Sequence, residues 1–219
     1  MRASGGQGED RKIRLAQPTV IIVDDDEQLR TALTDMFRSA GLQVLPFASA
    51  TELLGTQLPE APSCLLLDVQ LPDLNGLDIQ SELAKRGSPV PIVFMTGYGD
   101  VPTSVQAMKA GAVDFLGKPF RELDMLNAVH TALAQDKEQR SLRETTWKLR
   151  GLHRSLTRRE TEVMWYVTRG LMNKEIAFQM GVTEPTVKVH RSNLMRKMGA
   201  ASVADLVLMS QKLAIRDPR

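Results

Sequence analysis

Short apolar runs recur along the first half of the chain: "TVIIVD" (19–24), "QVLPF" (43–47), "SCLLLD" (63–68), "PIVFMT" (91–96) and "AVDFLGK" (112–118). The stretches between them carry helical spacing. After the first run, Leu29, Leu33, Met36 and Phe37 fall at i, i+4, i+7 and i+8, and Gly41 stops the helix. Five such strands alternating with helices of 10–15 residues predict an α/β fold with a parallel sheet covered on both faces, because parallel strands need crossovers and bury both sides. From residue 154 the period changes, and four short helical patterns follow with very small gaps. Thr157 with Glu160 forms a capping box, Gly170 ends that helix, Asn173 is positioned to cap the next, and Gly181 ends it. Thr183 caps the third, where Pro185 forfeits no bond because first-turn N–H groups are unpaired within a helix. Short helices joined by a tight Gly-containing turn fit a helix-turn-helix.

Charge divides the chain as the pattern does. The net charge of +2 over 219 residues conceals 15 Asp and Glu against 7 Lys and Arg in residues 16–134, and 9 against 17 in residues 135–219. Two domains with different partners are expected, the basic one meeting nucleic acid. Residues 1–16 are Gly-rich and polar and read as a disordered tail. Residues 17–134 read as the α/β domain, 135–153 as a charged helical linker with Leu142, Trp147 and Leu149 as apolar anchors, and 154–219 as a small all-α domain of four helices. No apolar stretch approaches the roughly 20 residues of a membrane span, and the N-terminus has no apolar signal core, so a cytoplasmic protein with no membrane partner is expected. The single cysteine, Cys64, cannot form an internal disulfide and reads as a buried thiol.

The strand ends carry the chemistry. In an open parallel sheet, ligands gather where the carboxyl ends of the strands open. The first strand ends in Asp24 and Asp25, the third in Asp68, the fourth in Thr96 and the fifth in Lys118. Crowded carboxylates repel one another and resist burial, so a compensating charge is required. A hard cation that takes carboxylate and carbonyl oxygens while keeping waters, Mg²⁺ or Mn²⁺, fits there and leaves room for a phosphate. Lys118 and Thr96 would offer an ammonium and a hydroxyl to an anion at the same place.

The segments "VDDDEQLR", "LLLDVQLPDLNGLD" and "FMTGYGDVPTSVQAMKAGAVDFLGKPF" together resemble the receiver domain of bacterial two-component response regulators, a flavodoxin-like fold, over about residues 18–134. The resemblance implies that Asp68 is the phosphoacceptor, Asp24 and Asp25 the acidic pair, and Lys118 the phosphate partner. It implies Thr96 and Phe115 as switch residues, the Gln70 backbone carbonyl as a further metal ligand, and a cis bond between Lys118 and Pro119. Gln70 and Tyr98 would flank the phosphate and tune its lifetime. Asp26 matches no ligand position and is expected to face water or cap the helix that follows. Haloacid-dehalogenase-type phosphatases also place an Asp after an apolar strand, but "DDDEQ" lacks the Thr or Val after the second Asp, and Asp68 would have no role there.

On the third short helix of the basic half, Val187, Leu194 and Met198 form one stripe, so Val189, Ser192 and Arg196 point away from the core, flanked by Lys188. A thymine methyl in a major groove would give Val189 a partner, and Lys188 a guanine edge or phosphate. Arg191, Lys174 and Thr186 complete the candidate DNA-contacting set. "LTRRETEV", "NKEIA" and "TVKVHRSNLMRKM" resemble the LuxR-type DNA-binding domain, over about residues 154–213, which would make 184–198 the recognition helix. The last pattern, 202–213, carries Val203, Leu206, Val207, Leu208, Met209 and Leu213, more apolar surface than a small domain needs, and is expected to be a dimer face.

The whole chain is thus similar to response regulators of the NarL/FixJ group. The resemblance implies a transcription regulator rather than an enzyme, with only slow phosphorylation from small phosphodonors and slow autodephosphorylation. Its partners would be a cognate sensor histidine kinase, double-stranded promoter DNA, a second copy of itself and RNA polymerase. The alternatives are a DNA-binding regulator whose receiver is a phosphorylation-independent dimerisation module, and a phosphatase with an incidental basic tail.

Overall fold

A computed structural model describes residues 17–88, 90–97 and 101–213, with Val101 known by its backbone alone. The expected N-terminal tail and Tyr98 lie outside the described residues. Strands β1 (Thr19–Val23), β2 (Gln43–Phe47), β3 (Ser63–Asp68), β4 (Ile92–Thr96) and β5 (Asp114–Gly117) form one parallel sheet in the order β2-β1-β3-β4-β5. Between them run α1 (Glu27–Ser39), α2 (Ala50–Leu54), α3 (Gly76–Lys85) and α4 (Val101–Lys109), and α5 (Glu122–Arg154) follows. The strand order reverses beside β1, which opens a crevice at the carboxyl ends of β1 and β3.

Alternation along each strand sorts its residues into two cores. Val20, Ile22, Cys64, Leu66, Val93 and Met95 face one side, where Leu33 and Phe37 of α1 and Met125, Ala128 and Val129 of α5 cover them. Ile21, Val23, Leu65, Leu67, Ile92 and Phe94 face the other, under Ala50 and Leu53 of α2, Ile79 and Leu83 of α3 and Ala107 of α4. Two crossover helices are shorter than the sequence pattern predicts: α2 has five residues and α4 nine. Gly55 caps α2, and the chain bends at Glu60, Ala61 and Pro62 on its way into β3. That approach is fixed by a buried clamp. The Ser63 backbone N–H donates to Asp136 Oδ2 at 2.8 Å, and Arg140 Nε donates to the same oxygen at 2.6 Å while its other nitrogens reach the Glu60 and Pro59 carbonyls.

The chain divides into two compact units between Arg140 and Ser141. The stretch read as a linker is helical throughout as part of α5; in the second unit Leu149 is buried, whereas Leu142 and Trp147 stand exposed. The second unit continues with α6 (Arg158–Val167), α7 (Asn173–Met180), α8 (Glu184–Met198) and α9 (Val203–Leu213). Val163, Met164, Ile176, Val187, Leu194, Met198 and Leu206 form its core. The Thr157 and Glu160 capping box opens α6, Thr183 caps α8, and Gly181 and Gly199 end α7 and α8 in the left-handed conformation.

Two expectations are corrected here. Asn173 does not cap α7: it is the first helical residue, and its Oδ1 accepts from Arg191 Nη1 at 2.9 Å, while Glu175 receives the Met172 backbone N–H at 2.6 Å. Nor does α9 carry a wholly spare apolar face. Leu206 is buried, Val203, Met209 and Leu213 pack on the same core, and Leu208, 58% exposed, is the large hydrophobic left outside.

Candidate functional site

The acidic cluster lies in the crevice. Asp24 directly follows β1, Asp68 ends β3, and Lys118 directly follows β5 and precedes a cis bond to Pro119. Lys118 Nζ donates to Asp24 Oδ2 and to Asp68 Oδ2, both at 2.6 Å. The second oxygen of each carboxylate takes a backbone N–H two residues on: Asp26 N–H to Asp24 Oδ1 at 3.0 Å, and Gln70 N–H to Asp68 Oδ1 at 2.9 Å. Asp25, exposed, completes a set of three carboxylates whose oxygens lie within 4.8 Å of one another.

Electrostatics follow from burial and from the shared lysine. Burial pushes the Asp24 carboxyl above the usual range, against the pull of Lys118 and the Asp26 N–H. Burial works against the Lys118 ammonium too, but its hydrogen bonds to Asp24 and Asp68 outweigh that and raise its pKa. With all three carboxylates ionised and Lys118 protonated, the cluster carries a net charge of about −2, which a single divalent cation would balance. Oxygen-only donors, one of them open to solvent, suit a hard cation that retains water, so the residues present fit Mg²⁺ or Mn²⁺.

The other expected receiver residues among those described sit on β4, on β5 and in the loops after β1 and β3. Thr96 is buried at the end of β4, and its carbonyl accepts the Lys118 backbone N–H at 2.6 Å. Phe115, half-buried on β5, lies opposite Phe94 with ring centroids 6.1 Å apart, against the core under α2, α3 and α4. Gln70 is exposed in the β3–α3 loop and pairs with Asn75 in an isolated antiparallel bridge. Asp26 is the N-cap of α1, its Oδ1 accepting from Gln28 and Leu29 N–H groups at 2.9 and 3.1 Å. Gly76 begins α3 directly behind Asp68; a Cβ there would sit 2.7 Å from the Asp68 carbonyl oxygen.

Sequence reasoning missed two supporting residues. Arg30 Nη1 donates to the Asp24 carbonyl at 2.7 Å and steadies the turn that carries Asp24 and Asp25. An arginine in the first turn of a helix opposes the helix dipole, a signal that could have marked it. Asp73 reaches α2 from the β3–α3 loop, a contact between residues 22 apart with no local signature.

In the second unit, Lys188, Val189, Ser192 and Arg196 lie exposed on α8, opposite the stripe of Val187, Leu194 and Met198. Val189 is 60% exposed, and Lys188 pairs with Glu184 one turn earlier at 3.2 Å. Lys174 is exposed on α7. Thr186 and Arg191 are half-buried and already engaged, Thr186 with the Thr183 cap and Arg191 with Asn173. Lys197, on the same helix, turns inward to Glu160 at 2.7 Å.

Residues 20–130 match the family described as response regulator receiver domain, and residues 154–210 the family described as bacterial regulatory proteins, luxR family. The chain is 47% identical over 214 residues to Nodulation protein W of Bradyrhizobium diazoefficiens, covering 98% of this chain and 92% of that one. It is 44% identical over 194 residues to the response regulator protein TodT of Pseudomonas putida, covering 89% and 86%. Among solved structures, response regulator StyR superposes with a TM-score of 0.82 at 45% identity, covering 90% of this chain and 100% of that one.

Proposed function

The chain belongs to the transcriptional response regulators that join a receiver domain to a LuxR-type DNA-binding domain, and we propose that phosphoryl transfer to Asp68 controls its dimerisation and its hold on promoter DNA. The observation that carries this reading is Lys118 Nζ shared at 2.6 Å between Asp24 and Asp68 at the open end of the sheet.

Asp24, Asp25, Asp68 and the Gln70 carbonyl would hold Mg²⁺ or Mn²⁺, which when bound neutralises charge on the transferring phosphoryl oxygens. An oxygen of Asp68 forms the new P–O bond as the donor's bond to phosphorus breaks, whether that donor is a phosphohistidine of a sensor kinase or acetyl phosphate. Lys118, held beside Asp68, stays with the acyl phosphate as its ammonium partner. The phosphoryl group adds about −1.5 to −2 charge and new acceptor oxygens, toward which the Thr96 hydroxyl moves, with Phe115 following against Phe94. Gln70 and Tyr98 tune how long the group survives. Phosphorylation from small donors and its hydrolysis are slow, as suits a switch.

In the DNA-binding domain α8 is the recognition helix: Lys188, Val189, Ser192 and Arg196 meet the major groove, and Lys174 and Arg191 meet phosphates. Thr186 fixes the start of that helix and contacts the backbone beside it. A second copy packs against the part of α9 that the domain's own core leaves outside, where Leu208 is the exposed anchor, and RNA polymerase is met on the promoter. Among the described residues no helix is long and apolar enough to cross a membrane, in keeping with a cytoplasmic regulator.

The test is a titration of labelled promoter duplex with wild type and Asp68→Asn, with and without acetyl phosphate and Mg²⁺. Tighter binding by phosphorylated wild type alone is expected. Equal binding by both proteins under all conditions refutes phosphorylation control and leaves the receiver as a phosphorylation-independent module.

A further inference from the structure

The β3–α3 loop, residues 69–75, carries the Gln70 carbonyl, and its base is stitched to the strand that ends in Asp68. Gly76 N–H donates to the Val69 carbonyl at 2.9 Å, Gln70 N–H to Asp68 Oδ1 at 2.9 Å, and Asn75 Oδ1 takes the Leu77 N–H at 2.9 Å as the cap of α3. The far end of the loop is held differently. Asp73 Oδ2 accepts the Thr51 backbone N–H at 2.9 Å and the Thr51 hydroxyl at 2.8 Å, and its Oδ1 accepts the Ala50 N–H at 3.3 Å and the Leu74 N–H at 3.1 Å.

These bonds account for the first turn of α2. Its first two N–H groups, Ala50 and Thr51, go to Asp73, and the third, Glu52, goes to Ser49 Oγ at 3.2 Å. A helix of five residues is marginal alone, but Ala50 and Leu53 are buried in the core beneath β1 and β3, so α2 is a firm attachment. The same bonds hold the Asp73 carboxyl below its usual range, although the group is exposed.

We propose that Asp73 is a positioning residue for the cation site, tethering the β3–α3 loop to α2 so that the Gln70 carbonyl is held in place for the metal. The proposal rests on the reading of Asp24, Asp25, Asp68 and Gln70 as the cation's ligands. Mg²⁺ demands near-ideal octahedral geometry and tolerates little displacement of a ligand oxygen. Gln70 lies in the stitched base, bridged to Asn75, and a tip freed from α2 would strain that bridge and shift the Gln70 carbonyl. Groups that orient a metal ligand without touching the metal typically matter about 10–100-fold in affinity. One loop carbonyl among several oxygen donors belongs at the lower end of that range.

The experiment is calorimetric titration of Mg²⁺ into the full chain, as wild type, Asp73→Ala, Thr51→Val and Ser49→Ala, with the thermal midpoint of each recorded. Asp73→Ala is expected to weaken Mg²⁺ about tenfold, and Thr51→Val, which removes the hydroxyl alone, by less. Ser49→Ala deletes a cap bond of the same helix without touching the loop. It should lower the thermal midpoint as Asp73→Ala does and leave Mg²⁺ affinity within about twofold. A measurable Mg²⁺ affinity that Asp73→Ala leaves unchanged, or that Ser49→Ala weakens equally, overturns the tether and spares the cation site. Failure of wild type to take up Mg²⁺ overturns the cation site and the tether with it.

Discussion

Replacing Gly76 with alanine sets two effects of opposite sign against each other. At a solvent-exposed helical position, glycine to alanine stabilises by about 0.5–1 kcal/mol, because the unfolded chain loses freedom and the helix gains propensity. Gly76 is the first residue of α3 and is buried. A Cβ built there meets the Asp68 carbonyl oxygen at 2.7 Å, Val69 Cα at 3.1 Å and Phe94 Cε1 at 3.1 Å. Ordinary contact begins at 3.4 Å, so the main clash is about 0.7 Å deep and its partner is backbone that cannot rotate aside. Forcing an added methyl group into such packing costs about 1–3 kcal/mol. The balance is a net destabilisation of about 1–2 kcal/mol, and the displaced backbone is that of Asp68 itself. With a urea m-value of about 1.5–2 kcal/mol/M, the receiver midpoint should fall by about 0.5–1 M. Both tryptophans, Trp147 and Trp165, lie in the second unit, so their fluorescence should not move while the far-UV circular dichroism transition of the receiver does. Phosphorylation by acetyl phosphate should slow in the same variant. A midpoint equal to or above that of wild type would refute the packing argument.

Three further outcomes test other parts of the molecule. Glu160 is buried, which would raise its pKa, but Lys197 and the Thr157 N–H hold it below the ordinary carboxyl value of 4.5; its contribution is therefore complete above that value and is lost as pH falls through the depressed one. Lys197→Met should move the acid unfolding limb of the second unit to higher pH, followed by Trp165 fluorescence, and an unmoved limb would refute the pairing. Burial, with the Asp136 charge nearby, pushes the Cys64 thiol up to about 12, so it stays neutral in the folded state. An aromatic disulfide reagent at pH 8 should label Cys64 only as the receiver unfolds, and prompt labelling of native protein would contradict its burial. Because the unfolded thiol ionises from about 9.0, stability should also decline as pH rises above that value.

What was legible in the sequence was whatever depends on local period. β3 falls on its apolar run residue for residue, since alternation between two cores leaves no freedom in register, and β2, an edge strand that buries Val44, falls on its run as well. The strand-end residues Asp24, Asp68, Thr96 and Lys118 were legible because a parallel sheet delivers its carboxyl ends to one edge. Helix caps were half legible: Thr157 and Thr183 act as their spacing suggests, whereas Asn173 falls one residue inside α7, behind Met172 at the N-cap, and its side chain meets Arg191 from α8. The surplus of apolar residues on α9 was misread for a similar reason. Sequence counts hydrophobic side chains but not the area that neighbouring helices cover, and most of that face closes the domain's own core. The tether from Asp73 and the clamp of Asp136 and Arg140 link residues far apart in the chain, where no periodicity exists to read.

The three consecutive aspartates at 24–26 hold three distinct offices, and a mutational scan should tell them apart by the kind of loss as well as its size. Asn for Asp at 26 keeps an oxygen facing the Gln28 and Leu29 N–H groups, and asparagine caps helices about as well as aspartate, so that exchange should pass silently. The same exchange at 25 touches an exposed side chain, so, on the proposed cation site, its loss should be confined to metal affinity. At 24 it alters a buried group bonded to Lys118 and to the Asp26 N–H, and both folding and phosphorylation should register it. A substitution table that scores Asp to Asn once, by residue type, averages over three unlike events. In this run the address of the residue carries more information than its identity.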